Sequence, residues 1–376
     1  MTSGPRNHVQ PTGITRRRFL AKASALGTLP AIALTTAACS ANVDFESTAR
    51  RLRRPLTESV DSTVLLRELV RCATLAPNGH NTQPWLFELA RGRISVRPDF
   101  SRRTPVVDPD DHHIWVSLGC AAENMVIAAA ALGRHAEVQF GPHEIQVIIE
   151  SGPQESSPLA DAIFRRQCTR AEYDGQPLAG EVLKDLERAA ERSGVRLYLL
   201  TERARIENVI EYVTQANSAQ MRNAAFVSEL KHWIRFDDAQ AVLTADGLAA
   251  RSSGSPALPP WLGGPLFNVF FREKSENDRY VKQLRSSAAV AVFAGTHDGP
   301  AGWFEVGRAY EHFALKATAL DVRTAFVNQP IEVPAVRSPF GQWLGIGSQR
   351  ADLVVRIGRG PLRPFSLRRQ VDAVIV

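Results

Sequence analysis

The sequence predicts an α+β fold built from two similar halves, with a lid-like insertion. Three observations predict it. Short apolar strand patterns alternate with helical patterns from residue 57 to residue 365. Two long helices, residues 115–132 and 303–320, are apolar on most faces, and each is followed by a strand, which indicates an internal duplication. Residues 225–287 have no counterpart in the first half and form the predicted insertion.

The first half spans residues 57–152 and shows clear hydrophobic periodicity. Pro77 ends its first helix, because the residue before a proline is pushed out of the helical region. Its second helix is predicted to be buried between the halves, since a helix that is apolar all round needs cover on every side. The elements are helices over residues 62–76 and 115–132 and strands over residues 85–89, 93–98 and 143–150.

The second half spans residues 153–365 and carries the insertion, which includes a break rich in Pro, Gly and Ser at residues 252–266. Long insertions in enzymes are often lids or binding loops. The predicted helices cover residues 159–167, 181–192, 204–221, 226–234 and 303–320, and the predicted strands cover residues 196–200, 288–293, 323–327 and 353–357.

Composition excludes several classes of protein. The chain has 376 residues, 22% of them charged and 44% hydrophobic, which is typical of a globular protein of about two domains. The net charge of +6 is concentrated near the ends and comes with no base-reading motif, so no nucleic-acid partner is predicted. The four cysteines form no C-x-x-C pair, which argues against a structural zinc site.

Two adjacent histidines, His112 and His113, follow Asp110 and Asp111. Consecutive side chains of a helix or strand point in different directions, so they cannot all face one ion. We therefore predict a polar helix start here and no metal site.

The first forty residues resemble an export address. Arg16 and Arg17 lie in a run similar to the twin-arginine signature, and a mildly apolar stretch follows. Small residues then precede Cys39, as at a lipoprotein cleavage site, with an uncleaved anchor as the alternative. The protein is therefore expected on the periplasmic or cell-envelope side, with Cys39 as a possible lipid anchor. Residues 41–56 are predicted to be a polar linker.

The most informative segment joins the first helix to the first strand, at residues 76–85. Prolines stiffen both of its ends, and Gly79 allows a tight path. Asn81 and Gln83 offer amide donors and acceptors, which suit the polar edge of a flavin ring. Without further support, the same residues would also fit an ordinary loop.

This segment resembles the A-P-S-x-x-N-x-Q-P-W element of the nitroreductase family, with Asn78 in place of the family's Ser. In detail, including His80, it is similar to the Acg-like branch, whose single chains contain two nitroreductase-like halves. The resemblance implies a nitroreductase-like fold, in which each of two pseudo-symmetric halves has a mixed or antiparallel sheet flanked by helices, and an FMN site. The implied cofactor-binding residues of this segment are Pro77, Asn78, Gly79, Asn81 and Gln83.

Two further segments resemble family elements. Arg166 and Arg170 match its R-x-x-x-R phosphate element, with Cys168 where a hydroxyl is common. Guanidinium groups suit phosphate because they donate paired, charge-assisted hydrogen bonds. The third segment matches the family's P-I/M-E element, whose backbone lies against the flavin; Val333 replaces the usual Gly there. Its members are Gln329, Pro330, Ile331 and Glu332.

Arg356 ends a family-like terminal strand and is a further candidate for the phosphate. The three elements come from different halves, so the resemblance implies one composite FMN site per chain. The pairing of halves also replaces the dimerisation of ordinary members, and a monomer with an internal pseudo-dimer is expected.

The implied function is an FMN-dependent oxidoreductase that passes hydride or electrons from flavin N5 to a flat aromatic or quinone-like small molecule. The electron donor stays open, with NAD(P)H as one candidate. The alternative is a non-catalytic protein that stores or senses FMN beneath a lid formed by the insertion.

Changing Arg16 and Arg17 to Lys is expected to leave the protein in the cytoplasm, because the twin-arginine route requires the guanidinium pair. Fractionation of cells that express the variant measures this. Export at the wild-type level would contradict the assignment.

Overall fold

The computed structural model describes residues 1, 2, 4, 44–141, 144–347 and 349–376. The predicted twin-arginine signal and Cys39 lie outside the described residues.

Within the described residues, two four-stranded antiparallel sheets organise the fold. The first sheet has the order β1-β2-β4-β3 and belongs to the first half; the second has the order β5-β8-β10-β9 and belongs to the second half. A short parallel pair, β6 and β7, lies in the insertion. The strands are β1 (Trp85–Ala90), β2 (Arg93–Pro98), β3 (Arg134–Phe140), β4 (Ile145–Ser151), β5 (Val195–Leu200), β6 (Ile234–Arg235), β7 (Leu248–Ala249), β8 (Ala289–Gly295), β9 (Arg323–Phe326) and β10 (Leu353–Gly358).

Helices flank both sheets and form most of the insertion. They are α1 (Phe45–Arg51), α2 (Ser62–Thr74), α3 (His112–Ala131), α4 (Pro158–Arg165), α5 (Gly180–Ala189), α6 (Arg203–Arg222), α7 (Ala224–Trp233), α8 (Asp238–Thr244), α9 (Ala250–Ser253), α10 (Pro260–Phe270), α11 (Glu273–Arg285), α12 (Pro300–Ala319), α13 (Gln329–Glu332) and α14 (Pro334–Leu344).

The predicted α+β architecture, with two antiparallel sheets flanked by helices, is confirmed. Three local differences have physical reasons. The predicted linker contains α1, because Asp44 caps that helix and Phe45 buries itself against the insertion. The predicted break at residues 252–266 contains the start of α10, since a proline in a first helical turn loses no hydrogen bond. Strand β3 was not predicted, because its side chains are mostly exposed or half-buried and so lack an apolar signature.

The two long helices α3 and α12 pack against each other at the centre of the fold. They cross at Gly119 and Gly307. A Cβ on Gly119 would lie 2.0 Å from the Phe304 carbonyl oxygen, and a Cβ on Gly307 would lie 2.0 Å from that of Val116. Only glycine allows two helix backbones to approach so closely. Although α3 is long and apolar enough to span a membrane, 78% of its apolar window is buried inside the protein.

The chain end ties the second half back onto the first sheet. Phe87 of β1 donates its N–H to the Val374 carbonyl at 2.8 Å, and Val376 donates to the Phe87 carbonyl at 2.9 Å. The last residues therefore extend the β1 edge, which protects that edge from other strands.

Substituting Gly307 with Ala is expected to destabilise the protein by about 2 kcal/mol or more, because the methyl group meets backbone atoms that cannot move aside. Urea denaturation measures the change. Gly180→Ala is the matched control, since a Cβ there has nothing within 4 Å. Equal stability of the two variants would contradict the close helix crossing.

Candidate functional site

A cavity of about 710 Å³ lies between the two halves, a size suited to a small molecule or cofactor. The first half contributes the loop from Pro77 to His80 and one face of α3. The second half contributes Arg170, α6 and α13; residues 226–271 of the insertion add an apolar wall, and α11 adds Glu276 and Arg279. The cavity is therefore composite, as the one-site prediction requires. Its polar lining residues include Asn78, His80, His113, Arg170, Gln220, Gln329 and Glu332.

The loop between α2 and β1 is held in an unusual conformation. His80, Asn81 and Gln83 have φ values of 47°, 56° and 54°, in the left-handed region that side-chain-bearing residues rarely adopt. The Asn78 carboxamide oxygen accepts the Gln83 N–H at 2.8 Å and closes the loop. Strain of this kind persists only where surrounding contacts fix it, and it is found most often at functional sites.

Asn81 and Gln83 supply those contacts and do not line the cavity. The Asn81 amide donates to the carbonyls of Gly247 and Leu367, and its oxygen accepts from Arg368 at 2.7 Å. Gln83 donates to the Ala245 carbonyl at 2.9 Å and accepts a backbone N–H from the chain end. The side-chain amides of both residues therefore bond within the protein and fix the loop whose residues Pro77 to His80 line the cavity.

Arg166 also lies outside the cavity lining. Its guanidinium is buried, donates to the Leu75 carbonyl at 2.7 Å, and has its Nε 3.2 Å from Glu311 Oε1. Burial raises the pKa of Glu311 to about 7, and the positive charge of Arg166 opposes that rise. Arg166 therefore contacts the Leu75 carbonyl and the Glu311 carboxylate in this structure and does not line the cavity.

The loop and Arg166 do lie close together, but they meet at the buried side chain of Arg368 and not at the cavity. The buried Arg368 donates to Asn81 Oδ1 and to the carbonyls of Thr74, Leu75 and Ala76. Arg166 shares the Leu75 carbonyl with it. The predicted proximity therefore serves to anchor the end of α2 and the loop that follows.

Arg170 is exposed and lines the cavity, and no described side chain pairs with its guanidinium. Cys168, two residues earlier, is half-buried; it forms a backbone bridge with Thr324 and is absent from the lining. Of this predicted phosphate element, Arg170 is the member positioned to meet a ligand.

The predicted flavin-facing segment 329–332 forms the short helix α13. Pro330 and Ile331 are buried in the core, whereas Gln329 and Glu332 line the cavity. The Gln329 side chain is buried, and its Oε1 has no hydrogen-bond partner in the described structure. A buried amide oxygen without a partner is costly, so it is suited to accept a hydrogen bond from a bound ligand.

Arg356 is fully buried within β10 and does not line the cavity. It donates to the carbonyls of Thr169 and Ala171 at 3.0 and 2.8 Å and stacks on Tyr173 at 4.1 Å. These contacts position the segment that carries Arg170. Arg356 therefore stabilises the segment next to Arg170 without lining the cavity itself.

The sequence analysis missed a histidine–glutamate pair in the cavity. His113 Nε2 lies 3.3 Å from Glu332 Oε1, and Gln220 donates to Glu332 Oε2 at 2.8 Å. Burial alone would lower the pKa of His113, but Asp108 and Glu332 outweigh it and raise the pKa above its ordinary value. Burial would likewise raise the pKa of Glu332, but the hydrogen bond from His113 helps to lower it. The pair can hold a proton at Nε2.

His80 is a third titratable group in the lining. Burial lowers its pKa to about 4, so the imidazole is neutral at physiological pH. Its buried Nδ1 has no partner among the described residues. A neutral imidazole with one ring nitrogen unused can donate to or accept from a ligand.

Asp108, His112 and His113 place their ligand atoms within 4.8 Å of one another. Hydrogen bonds already engage each residue. Asp108 accepts the His113 backbone N–H at 2.9 Å, and His112 Nε2 lies 2.9 Å from Asp352 Oδ1. The two imidazole rings meet edge-on with centroids 4.9 Å apart, while His112 also contacts Asp352 and His113 also contacts Glu332.

Several known proteins that are similar to this chain are named as nitroreductases. No family model matches the chain. The Mycobacterium tuberculosis H37Rv protein named "Putative NAD(P)H nitroreductase Rv3131" is 24% identical over 327 residues, which cover 82% of this chain and 90% of that protein. A second protein of that strain, "Putative NAD(P)H nitroreductase acg", is 22% identical over 332 residues, with 85% and 97% covered.

Solved structures give the same names at low similarity. A "putative nitroreductase" from Anabaena variabilis is 11% identical, covers 82% of this chain and 91% of that chain, and has a TM-score of 0.45. The FMN-dependent nitroreductase NfnB from Mycobacterium smegmatis, in complex with NADPH, is 10% identical, covers 54% and 87%, and has a TM-score of 0.37.

The His113 imidazole is expected to titrate above its ordinary value of 6.5, and Glu332→Gln is expected to lower that pKa, because the charged partner is removed. NMR titration of the histidine ring measures both. Since the folded-state pKa of His113 is raised, its contribution to stability is lost as pH rises through that pKa; since the folded-state pKa of Glu332 is lowered, the contribution of the carboxylate is lost in acid as pH falls through its pKa. A His113 pKa that is unchanged in the variant would contradict the pairing.

Proposed function

We propose that the chain is an FMN-dependent oxidoreductase of the nitroreductase type, which passes hydride or electrons to a flat aromatic or quinone-like acceptor. The observation that carries the proposal is the cavity between the halves. His80 of the first half and Gln329 of the second line it, and His80 Nδ1 and Gln329 Oε1 have no hydrogen-bond partner among the described residues. NAD(P)H is the candidate donor. The similarity to proteins named NAD(P)H nitroreductases over most of the chain supports the reaction class.

The residues present fit a flavin mononucleotide. Arg170 offers an unneutralised guanidinium to the phosphate dianion, which favours paired, charge-assisted hydrogen bonds. The buried Gln329 Oε1 and His80 Nδ1 lack partners in the described structure, and an isoalloxazine edge carries the complementary groups. Bound there, the flavin would supply the hydride chemistry.

Side chains that line the cavity would shape the site and supply a proton. The strained loop holds Asn78 and His80 at the wall, and the apolar side chains of residues 226–271 line another part of it. The His113–Glu332 pair holds a proton at Nε2 beside the acceptor space and can release it when the acceptor gains negative charge. A role as proton donor requires His113 in its charged form, so the acceptor reaction should slow as pH rises through the His113 pKa.

The second candidate function is storage or sensing of FMN, because the insertion forms a wall of the cavity and could cover a bound flavin. Stopped-flow mixing with NADPH and then with a nitroaromatic separates the two functions. Rapid reduction and rapid reoxidation favour the enzyme, whereas a flavin inert to both favours storage.

We also infer that the protein works in the cell envelope as a monomer. The twin-arginine-like run supports export, and the internal pairing of halves supports a single chain.

Arg170→Ala is expected to weaken FMN binding by about 1.5–3 kcal/mol, the usual loss for a hydrogen bond to a charged group. That corresponds to roughly a tenfold to hundredfold rise in Kd. Fluorescence titration of the apoprotein with FMN measures it. The control is Arg165→Ala, which removes an exposed arginine that does not line the cavity. Identical FMN affinity in the two variants would remove the phosphate assignment.

A further inference from the structure

The cavity wall is divided by chemistry, and the division follows the chain. The charged and imidazole side chains of the lining lie on the core elements of the two halves and on α11. From residue 226 to residue 271, the described side chains that line the cavity include none with a charge. The main apolar contributors are Phe226, Ile234, Phe236, Leu266, Phe267 and Phe271.

Three phenylalanines form the centre of this apolar wall. The rings of Phe267 and Phe271 stack with centroids 4.4 Å apart, and the Phe236 ring meets that of Phe267 edge-on at 6.2 Å. Gly263 fixes α10 on this cluster, because a Cβ there would lie 2.6 Å from the Phe236 ring. The wall is thus a packed aromatic surface continuous with the flavin-sized cavity.

Such a wall discriminates between ligands. A charged or strongly polar group would lose its hydration against it without gaining hydrogen bonds. Each methylene buried there adds favourable transfer free energy. The α11 charges nearest to the wall do not alter this, since Glu276 and Arg279 pair with each other.

We propose that the apolar wall binds the hydrocarbon chain of a lipid-soluble acceptor, a quinone-type ring with an isoprenoid or alkyl tail. This inference rests on the proposed function, because the ring must be reduced in the same cavity. The reduction would balance: with reduced FMN bound, the quinone would gain one hydride from the flavin, which would be oxidised, and one proton from the His113–Glu332 pair, giving the hydroquinone.

The test compares two quinones with the same ring, one bearing a methyl group and the other a decyl chain. The purified holoprotein is photoreduced without air, so that no natural donor is needed, and is mixed with each quinone in a stopped-flow instrument. The decyl quinone is expected to reoxidise the flavin at least tenfold faster at low concentration. Equal rates would overturn the inference and leave the proposed function standing.

Two variants of α10 make the test specific. Leu266→Gln changes the lining and is expected to lower the decyl preference at least fivefold. Val269→Gln changes an exposed side chain of the same helix and is expected to keep the preference within twofold. An equal loss in both variants would contradict the binding of the chain at this wall.

A binding measurement covers the case in which the flavin is not reoxidised by either quinone, which would count against the proposed function. Quenching of protein fluorescence by each quinone then gives its Kd with the oxidised protein. The decyl quinone is expected to bind at least tenfold tighter than the methyl quinone, and weaker or equal binding would overturn the inference.

Discussion

The close crossing of α3 and α12 is the constraint on which the rest of the structure depends. Gly119 and Gly307 occupy reciprocal positions in it, each facing a backbone carbonyl of the other helix. The same helices carry Trp115 and Trp303 four residues earlier, so the two halves present matching faces. This contact joins the two halves within one chain, and it brings the walls of the cavity together.

Arginines contribute to the cavity in two ways: some fix its wall from within the core, and one lines it. Arg368 and Arg166 are buried, bond to the backbone at the end of α2, and fix the strained loop that carries Asn78 and His80. Arg170 stays exposed at the wall, and no described side chain is paired with its guanidinium. Burial and pairing, rather than residue type, decide which guanidinium is available to an anion. The insertion completes the enclosure with apolar side chains.

Much of the fold could be predicted from the sequence, because hydrophobic periodicity marks most core elements, including both long helices. The site could be predicted only in part. The motif locates the loop, but the bonds that occupy Asn81 and Gln83 come from residues 245–247 and 367–369, far along the chain. His113 was assigned to a helix start, and its partner Glu332 lies 219 positions away in sequence. Residues 115–123 and 303–311 share the spacing Trp-x3-Gly-x3-Glu. This shared spacing is a further sequence pattern that indicates the predicted duplication.

Native mass spectrometry of the purified protein tests the central claim most directly, because it counts chains and flavins together. The account predicts one FMN bound to a single chain, since one composite cavity lies between two halves that already pair internally. A dimer that needs both chains to hold its flavin, or a chain that carries two flavins or binds none when FMN is added, would contradict it.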